Sequence, residues 1–218
     1  MTADILQVRR DGDFSYPIIF RKDFSDLSAQ LKRLGLTKRK FCIVTDSTVA
    51  PLYLNTVKKE LERCAFFVTS YVLPAGEENK TLEQIQGIYQ HLIEMHFDRK
   101  DFLVALGGGV VGDMTGFAAA TYLRGIDFLQ VPTTLLAQVD SSIGGKTGVD
   151  FLKYKNMVGA FHQPRMVYMN VSTLCTLPLE QFSCGMGEVV KHGFIRDQSY
   201  SQWLYENRAK TVSYTHLR

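Results

Sequence analysis

The sequence predicts an α/β fold, a parallel sheet covered by helices on both faces, followed by the start of an all-helical second region. Three observations carry this. From residue 40 to residue 131, short apolar runs alternate with stretches of helical spacing. The runs are apolar on both faces, as strands enclosed between two helical layers must be. Beyond about residue 179 the runs stop and only helical spacing continues.

The elements follow in order. Residues 5–9 and 14–20 flank Asp11-Gly12-Asp13 and read as a hairpin. Residues 26–34 have helical spacing and end at Gly35, a C-cap residue. Residues 40–45 form a buried strand ending at Asp46-Ser47-Thr48, and helical spacing runs on to Arg63. Residues 66–73 form a strand ending in Pro74-Ala75-Gly76, then residues 82–95 are helical. Residues 102–106 are a buried strand, 107–113 a loop, 114–123 a helix capped by Gly125, and 128–131 a strand. This is a doubly wound, Rossmann-like pattern. Such sheets bind ligands beyond the carboxyl ends of their strands, where Asp46, Gly76-Glu77 and residues 107–113 lie. Residues 188–191 and 200–210 read as helical. The expected division is a domain over 1–178, the beginning of a helical domain over 179–210, and a short tail over 211–218.

Composition narrows the function. With 218 residues, 45% hydrophobic and 22% charged, the chain can bury a sizeable core. A net charge of +3 is too small to point to nucleic acid or a membrane surface as partner. The Lys38-Arg39-Lys40 run reads as a solvated turn. The four cysteines show no C-x-x-C or zinc spacing, and three sit in apolar text, so buried free thiols in a reducing cytoplasm are expected. The first residues carry no secretory apolar segment, and no apolar run reaches membrane-spanning length.

Three loops carry polar chemistry. Gly107-Gly108-Gly109-Val110-Val111-Gly112 satisfies G-x-G-x-x-G after a strand and before a helix. Glycines let the backbone approach a pyrophosphate, and a helix N-terminus supplies N–H donors. The same glycines also suit a tight strand-to-helix turn. Asp127 precedes its strand instead of ending it, which leaves Asp46 as the better ribose candidate. Residues 131–147 gather hydroxyls, Asp140, two glycines and Lys146. They fail the P-loop spacing, because the first glycine would fall at Asp140, so ATP is disfavoured. Lys146, Lys155 and Arg124 can surround an anion, although each alone suits an exposed surface. Glu188 and His192 share a helical face at i,i+4 and can hold one metal. Glu188 and Lys191 also suit an ordinary helical ion pair.

Taken together, DSTVAPLY (46–53), LPAGEENK (73–80), ALGGGVVGDMTGFAAATYLRGI (105–126), QVPTTLLAQVDSSIGGKTGVD (130–150), KNMVGAF (155–161) and GMGEVVKHG (185–193) resemble 3-dehydroquinate synthases. The resemblance covers most of the chain up to about Lys210. It implies NAD held against a Rossmann-like domain, one divalent metal, zinc or cobalt, in a helical domain, and a cytoplasmic homodimer. It implies conversion of 3-deoxy-D-arabino-heptulosonate 7-phosphate to 3-dehydroquinate and phosphate, within the shikimate route to aromatic amino acids. It places Asp46, Glu77 and Lys80 at the adenosine end of NAD, and Gly108, Gly109 and Val110 at the pyrophosphate, with Asp113 nearby. Thr133, Thr134 and Thr176 lie further along the cofactor, and Lys155 near the nicotinamide. Asp140, Lys146, Asn156 and Lys191 line the substrate pocket. Arg124 reaches phosphate, by way of a partner's site, and Glu188 is a metal ligand. His192 matches no ligand position of the family, which leaves its pairing with Glu188 a coincidence of spacing.

The family's two histidine metal ligands fall beyond this sequence, so the chain alone is expected to be inactive. Residues 212–218 resemble a translated sequencing-library adapter and are expected to be non-native. The nearest alternatives are sister sugar-phosphate cyclases, such as a deoxy-inosose or valiolone synthase. A metal-dependent alcohol or glycerol dehydrogenase and a non-catalytic NAD-binding fragment are further alternatives. A dehydrogenase releases NADH stoichiometrically, and a cyclase does not.

Overall fold

The computed structural model describes residues 4–10 and 12–210. Asp11 of the expected hairpin turn and the tail over 211–218 lie outside them.

The chain opens with β1 (Ile5–Arg10) and β2 (Asp13–Arg21), an antiparallel pair. Helix α1 (Leu27–Arg33) leads to β3 (Lys40–Asp46), α2 (Asn55–Glu62), β4 (Phe67–Leu73) and α3 (Leu82–Glu94). Then come β5 (Phe102–Gly107), α4 (Gly109–Thr121) and β6 (Asp127–Pro132). A hairpin of β7 (Lys146–Phe151) and β8 (Tyr154–Phe161) stands apart as its own two-stranded sheet. Strand β9 (Val167–Asn170), then helices α5 (Leu179–Arg196) and α6 (Gln198–Glu206), complete the described chain. No helix among the described residues is long and apolar enough to cross a membrane.

The main sheet has seven strands in the order β1-β2-β9-β6-β5-β3-β4, parallel except for β1 against β2. Side chains of a strand alternate between faces, and in the central strands β3, β5, β6 and β9 both faces are largely buried. Phe41 and Ile43 of β3 pack with Val57 and Leu61 of α2 and Leu27 and Leu31 of α1. Cys42 and Val44 face the opposite way, onto Ile85 and Ile88 of α3 and Met114 and Ala118 of α4. The continuous apolar text of these strands therefore serves two cores at once. Strand β4 lies on one side of β3 and β5 on the other, so the chain reverses direction across the sheet between β3 and β5. A crevice opens at such a reversal, because consecutive loops leave toward opposite faces.

The structure departs from the sequence expectations in four places. Helix α4 begins at Gly109, not near residue 114, so most of the expected loop over 107–113 is helix. Its glycines serve close packing: a Cβ at Gly112 would stand 2.9 Å from the Gln130 Oε1, and one at Gly116 would collide with Thr147. The β7–β8 hairpin was not foreseen, since most of β8 is exposed and shows no apolar alternation. Strand β9 was also missed. Its four residues are all buried, and it slots between β2 and β6. Finally, Cys42 and Cys64 are buried, but Cys175 and Cys184 are exposed, so two thiols rather than three are enclosed. Burial in apolar surroundings pushes the Cys42 thiol up to about 12.

Candidate active site

A cleft of about 680 Å³ occupies the reversal point, walled by the ends of β3, β4, β5 and β6. Asp46 ends β3. Its Oδ1 accepts the backbone N–H groups of Thr48 at 2.8 Å and Val49 at 2.9 Å, which fixes the carboxylate at the cleft wall. The Ala75 N–H donates to Ser47 Oγ at 3.1 Å and ties the loops after β3 and β4 together. Gly76, at φ +116°, turns the chain into the short helical turn Glu77–Asn79, a backbone that favours glycine. Glu77 and Lys80 join the wall from there.

The floor is the glycine turn. Gly108 is the extended N-cap of α4 and Gly109 its first residue, with no side-chain cap and no acidic residue in the first turn. The leading N–H groups of α4 thus lack helical partners and face the cleft with the positive end of the helix dipole. A Cβ at Gly108 would stand 3.1 Å from Thr134 Cγ2, and one at Gly109 2.9 Å from Ser141 Oγ. Bare backbone therefore leaves this floor open between the Thr134 and Ser141 side chains. Val110, Asp113, Thr133, Thr134 and Thr176 complete this part of the wall. The hydroxyls of Thr133 and Ser141 are buried in the wall without a hydrogen-bond partner among the described residues. Burying a hydroxyl unpaired costs roughly 1–3 kcal/mol, so such groups call for a polar ligand. The bare floor, the helix end and the orphaned hydroxyls together fit a dinucleotide.

A second cavity of about 710 Å³ adjoins the first and shares Asp113, Asp140 and Ser141 with it. Asp140, Lys146 and Asn156 line it. Behind its wall lies a buried ion pair: Lys80 Nζ donates to Asp113 Oδ2 at 2.6 Å and to Asn156 Oδ1 at 2.5 Å. Burial pushes the Asp113 carboxyl up from its ordinary value; the nearby Glu77 and Asp140 add to this, and Lys80 opposes it. A carboxyl whose folded pKa lies above its unfolded value favours the fold below the unfolded pKa. That contribution is lost as pH rises through the folded pKa. A carbon-detected NMR titration is expected to show Asp113 titrating above 3.8, and Asp113→Asn to remove that limb of the stability profile. An Asp113 midpoint at or below 3.8 would contradict it.

Helix α5 brings the third group. The ligand atoms of Asp140, Glu188 and His192 lie within 4.8 Å of one another. His192 Nε2 stands 3.1 Å from Glu188 Oε1, and Lys191 pairs with the same carboxylate oxygen. The hydrogen bond to Glu188 is the largest cause that raises the Lys191 pKa, and Asp140 adds to it. One imidazole and two carboxylates are a donor set suited to zinc or cobalt. Helix α5 comes this close because Gly185 has no side chain: a Cβ there would stand 2.6 Å from Leu135 Cβ.

Most residues singled out from the sequence converge here. Glu188 and Lys191 stand on α5 beside Asp140 and line neither cavity, and Lys155 and Arg124 do not line them either. Lys155 is exposed, with Nζ 3.4 Å from Glu77 Oε1 at the edge of the cleft. Arg124 is exposed just past the C-terminal end of α4, roughly 20 Å along that helix from the glycine turn. Ser141 and Thr173 line the cleft and were not singled out as site residues. Ser141 lay within the polar string, and its position beside Gly109, lining both cavities, distinguishes it from Ser142.

A family model described as 3-dehydroquinate synthase N-terminal matches residues 70–184. A 3-dehydroquinate synthase from Ruminiclostridium cellulolyticum is 48% identical over 202 residues, which is 92% of this chain and 55% of that protein. One from Shewanella frigidimarina is 51% identical over 196 residues, 90% of this chain and 54% of that protein. The chain thus spans about half the length of the curated relatives it matches. Among solved structures, a 2-deoxy-scyllo-inosose synthase with carbaglucose-6-phosphate, NAD+ and Co2+ superposes with a TM-score of 0.80 at 28% identity, covering 86% of this chain and 50% of that one. A 2-epi-5-epi-valiolone synthase from Streptomyces hygroscopicus, with NAD+ and Zn2+ bound, superposes with a TM-score of 0.81 at 26% identity, covering 98% and 59%. A glycerol dehydrogenase from Schizosaccharomyces pombe shares the fold, at 15% identity and a TM-score of 0.61, covering 79% and 41%. With a family model matched over more than half of its length, on a fold shared with sugar-phosphate cyclases, this chain belongs to the 3-dehydroquinate synthase family.

Proposed function

We propose that the protein to which this chain contributes is a 3-dehydroquinate synthase. It converts 3-deoxy-D-arabino-heptulosonate 7-phosphate to 3-dehydroquinate and phosphate with NAD and one divalent metal. The observation that carries this is the pair of adjoining cavities sharing Asp113, Asp140 and Ser141, one floored by a bare glycine turn and the other lined by Lys146 and Asn156. When bound, NAD takes and returns a hydride at one ring hydroxyl, while the metal polarises that oxygen.

The chain's own residues bind and orient. Gly108 and Gly109 admit the pyrophosphate to the α4 N-terminus, and Asp46 meets a ribose. Thr133 and Ser141 find partners for their orphaned hydroxyls on the cofactor. Lys146 and Asn156 hold anionic oxygens of the substrate in register. Asp140, facing both cavities, accepts a hydroxyl proton at its carboxylate, and Lys191 counters the charge of Glu188. Glu188 is the metal ligand, with Asp140 and His192 beside it. The protein acts as a cytoplasmic dimer in which Arg124 serves the partner's site. The exposed position of Arg124, away from its own chain's cavities, supports that role.

Identity of 48–51% to dehydroquinate synthases, against 28% to the inosose synthase, favours this substrate over those of sister cyclases. The test is phosphate release from the heptulosonate phosphate by this chain joined to the second half of a relative, with NAD and cobalt. Turnover without net NADH supports the proposal. Stoichiometric NADH, or no phosphate from a folded, NAD-bound protein, overturns it. In the same joined chain, Glu188→Gln is expected to weaken cobalt binding by at least ~10²-fold, read from the visible absorption of bound Co2+. Unchanged cobalt affinity would remove Glu188 from the ligand set.

A further inference from the structure

Lys80 is only 3% exposed, and its ammonium reaches across the fold to two groups from distant parts of the chain. It donates to Asp113 Oδ2 at 2.6 Å and to Asn156 Oδ1 at 2.5 Å. An ammonium carries donors and no acceptor. The amide of Asn156 must therefore turn its oxygen toward Lys80, which directs its NH2 group away from Lys80.

The backbone is pinned as well. The Asn156 N–H donates to Asp150 Oδ1 at 2.7 Å, and the Asp150 N–H donates to the Lys80 carbonyl at 2.9 Å. Asn156 sits at φ +55°, a left-handed conformation that asparagine tolerates better than most residues. Lys80 thus holds the amide directly, and Asp150, itself bonded to the Lys80 carbonyl, holds the main chain. Asn156 lines the same cavity as Lys146, so its amide and an ammonium serve one cavity.

We propose that Lys80 is a positioning residue that sets the polarity of Asn156. It commits the amide oxygen inward and leaves the two N–H donors for an anionic oxygen of the ligand. Asp113, which lines both cavities, holds Lys80 in place by its charge. Without Lys80 the amide is free to flip and present its oxygen, which repels an anion. The assignment of the second cavity to substrate rests on the proposed reaction. The polarity of Asn156 rests on the contacts alone.

The test uses the full chain and inorganic phosphate as the probe. In 15N-resolved NMR, the side-chain NH2 pair of Asn156, identified by its loss in Asn156→Asp, is expected to shift as phosphate is added. Asn156→Asp keeps an oxygen for Lys80 but replaces the donors with a second oxygen. Phosphate affinity is expected to fall by about 10-fold or more in that variant, and likewise in Lys80→Met. In Lys80→Met the NH2 pair is expected to stop responding to phosphate while the remaining backbone spectrum stays folded. If Lys80→Met unfolds, Lys80→Met combined with Asp113→Leu, in which both charges leave together, carries the same readout. Phosphate affinity unchanged in Asn156→Asp, an NH2 pair that does not respond in the unaltered chain, or a full response in Lys80→Met each overturns the proposal. Failure of the unaltered chain to bind NAD while Asn156 still responds to phosphate counts against the proposed reaction and leaves the polarity assignment standing.

Discussion

Lys80→Met is expected to lower the unfolding free energy by about 3 kcal/mol, the range for leaving one member of a buried ion pair without its partner. The Lys80 side chain is 4% exposed and that of Asp113 20%, so solvent screens the pair little. Removing the ammonium strands a carboxylate that is already disfavoured by burial and by the neighbouring Glu77 and Asp140. It also frees the Asn156 amide and loosens the β7–β8 hairpin that carries it. Methionine fills much of the same volume, so the loss is electrostatic and not a cavity effect. Urea unfolding of the full chain reads it directly. Adding Asp113→Leu to Lys80→Met is expected to recover most of the loss, because both charges then leave together. A loss within ~0.5 kcal/mol in the single variant would mean that the pair is solvated and weak.

Gly109→Val is expected to weaken NAD binding by about 100-fold while leaving the fold largely intact. Gly109 opens α4 with a backbone that any residue adopts, so valine costs little conformationally. Its Cβ would stand 2.9 Å from Ser141 Oγ, and its methyl groups would fill the floor where a pyrophosphate meets the first N–H groups of α4. The ligand would have to withdraw from those donors, and the orphaned Thr133 hydroxyl would stay unpaired. Calorimetry with NAD, beside thermal unfolding, separates the two effects. Retained affinity in a folded variant would show that the dinucleotide does not cross this turn.

The two expectations differ in how far the sequence reaches. The glycine turn is local: its residues are consecutive, and strand, turn and helix follow one another, so Gly108 and Gly109 were legible as a bare turn opening a helix at the sheet's ligand-binding edge. The same holds for Asp46, which ends an apolar run, and for the two-core sheet, whose strands read as unbroken apolar text. Local spacing also placed Glu188, Lys191 and His192 on one helix face. It did not place Asp140 beside them, because that contact depends on α5 docking through Gly185 against Leu135.

The sequence by itself determined the alternation of strands and helices, the loops that wall the cleft and the resemblance that names the family. Each is written in neighbouring residues, where backbone preference and apolar period act. Only the tertiary structure decided the start of α4, the insertion of β9 between β2 and β6, and the burial of two cysteines instead of three. It alone also decided the union of Lys80, Asp113 and Asn156. Those outcomes depend on which surfaces exclude water together and which charges are enclosed as a result. Lys80 and Asn156 are 76 positions apart, and no local period links them.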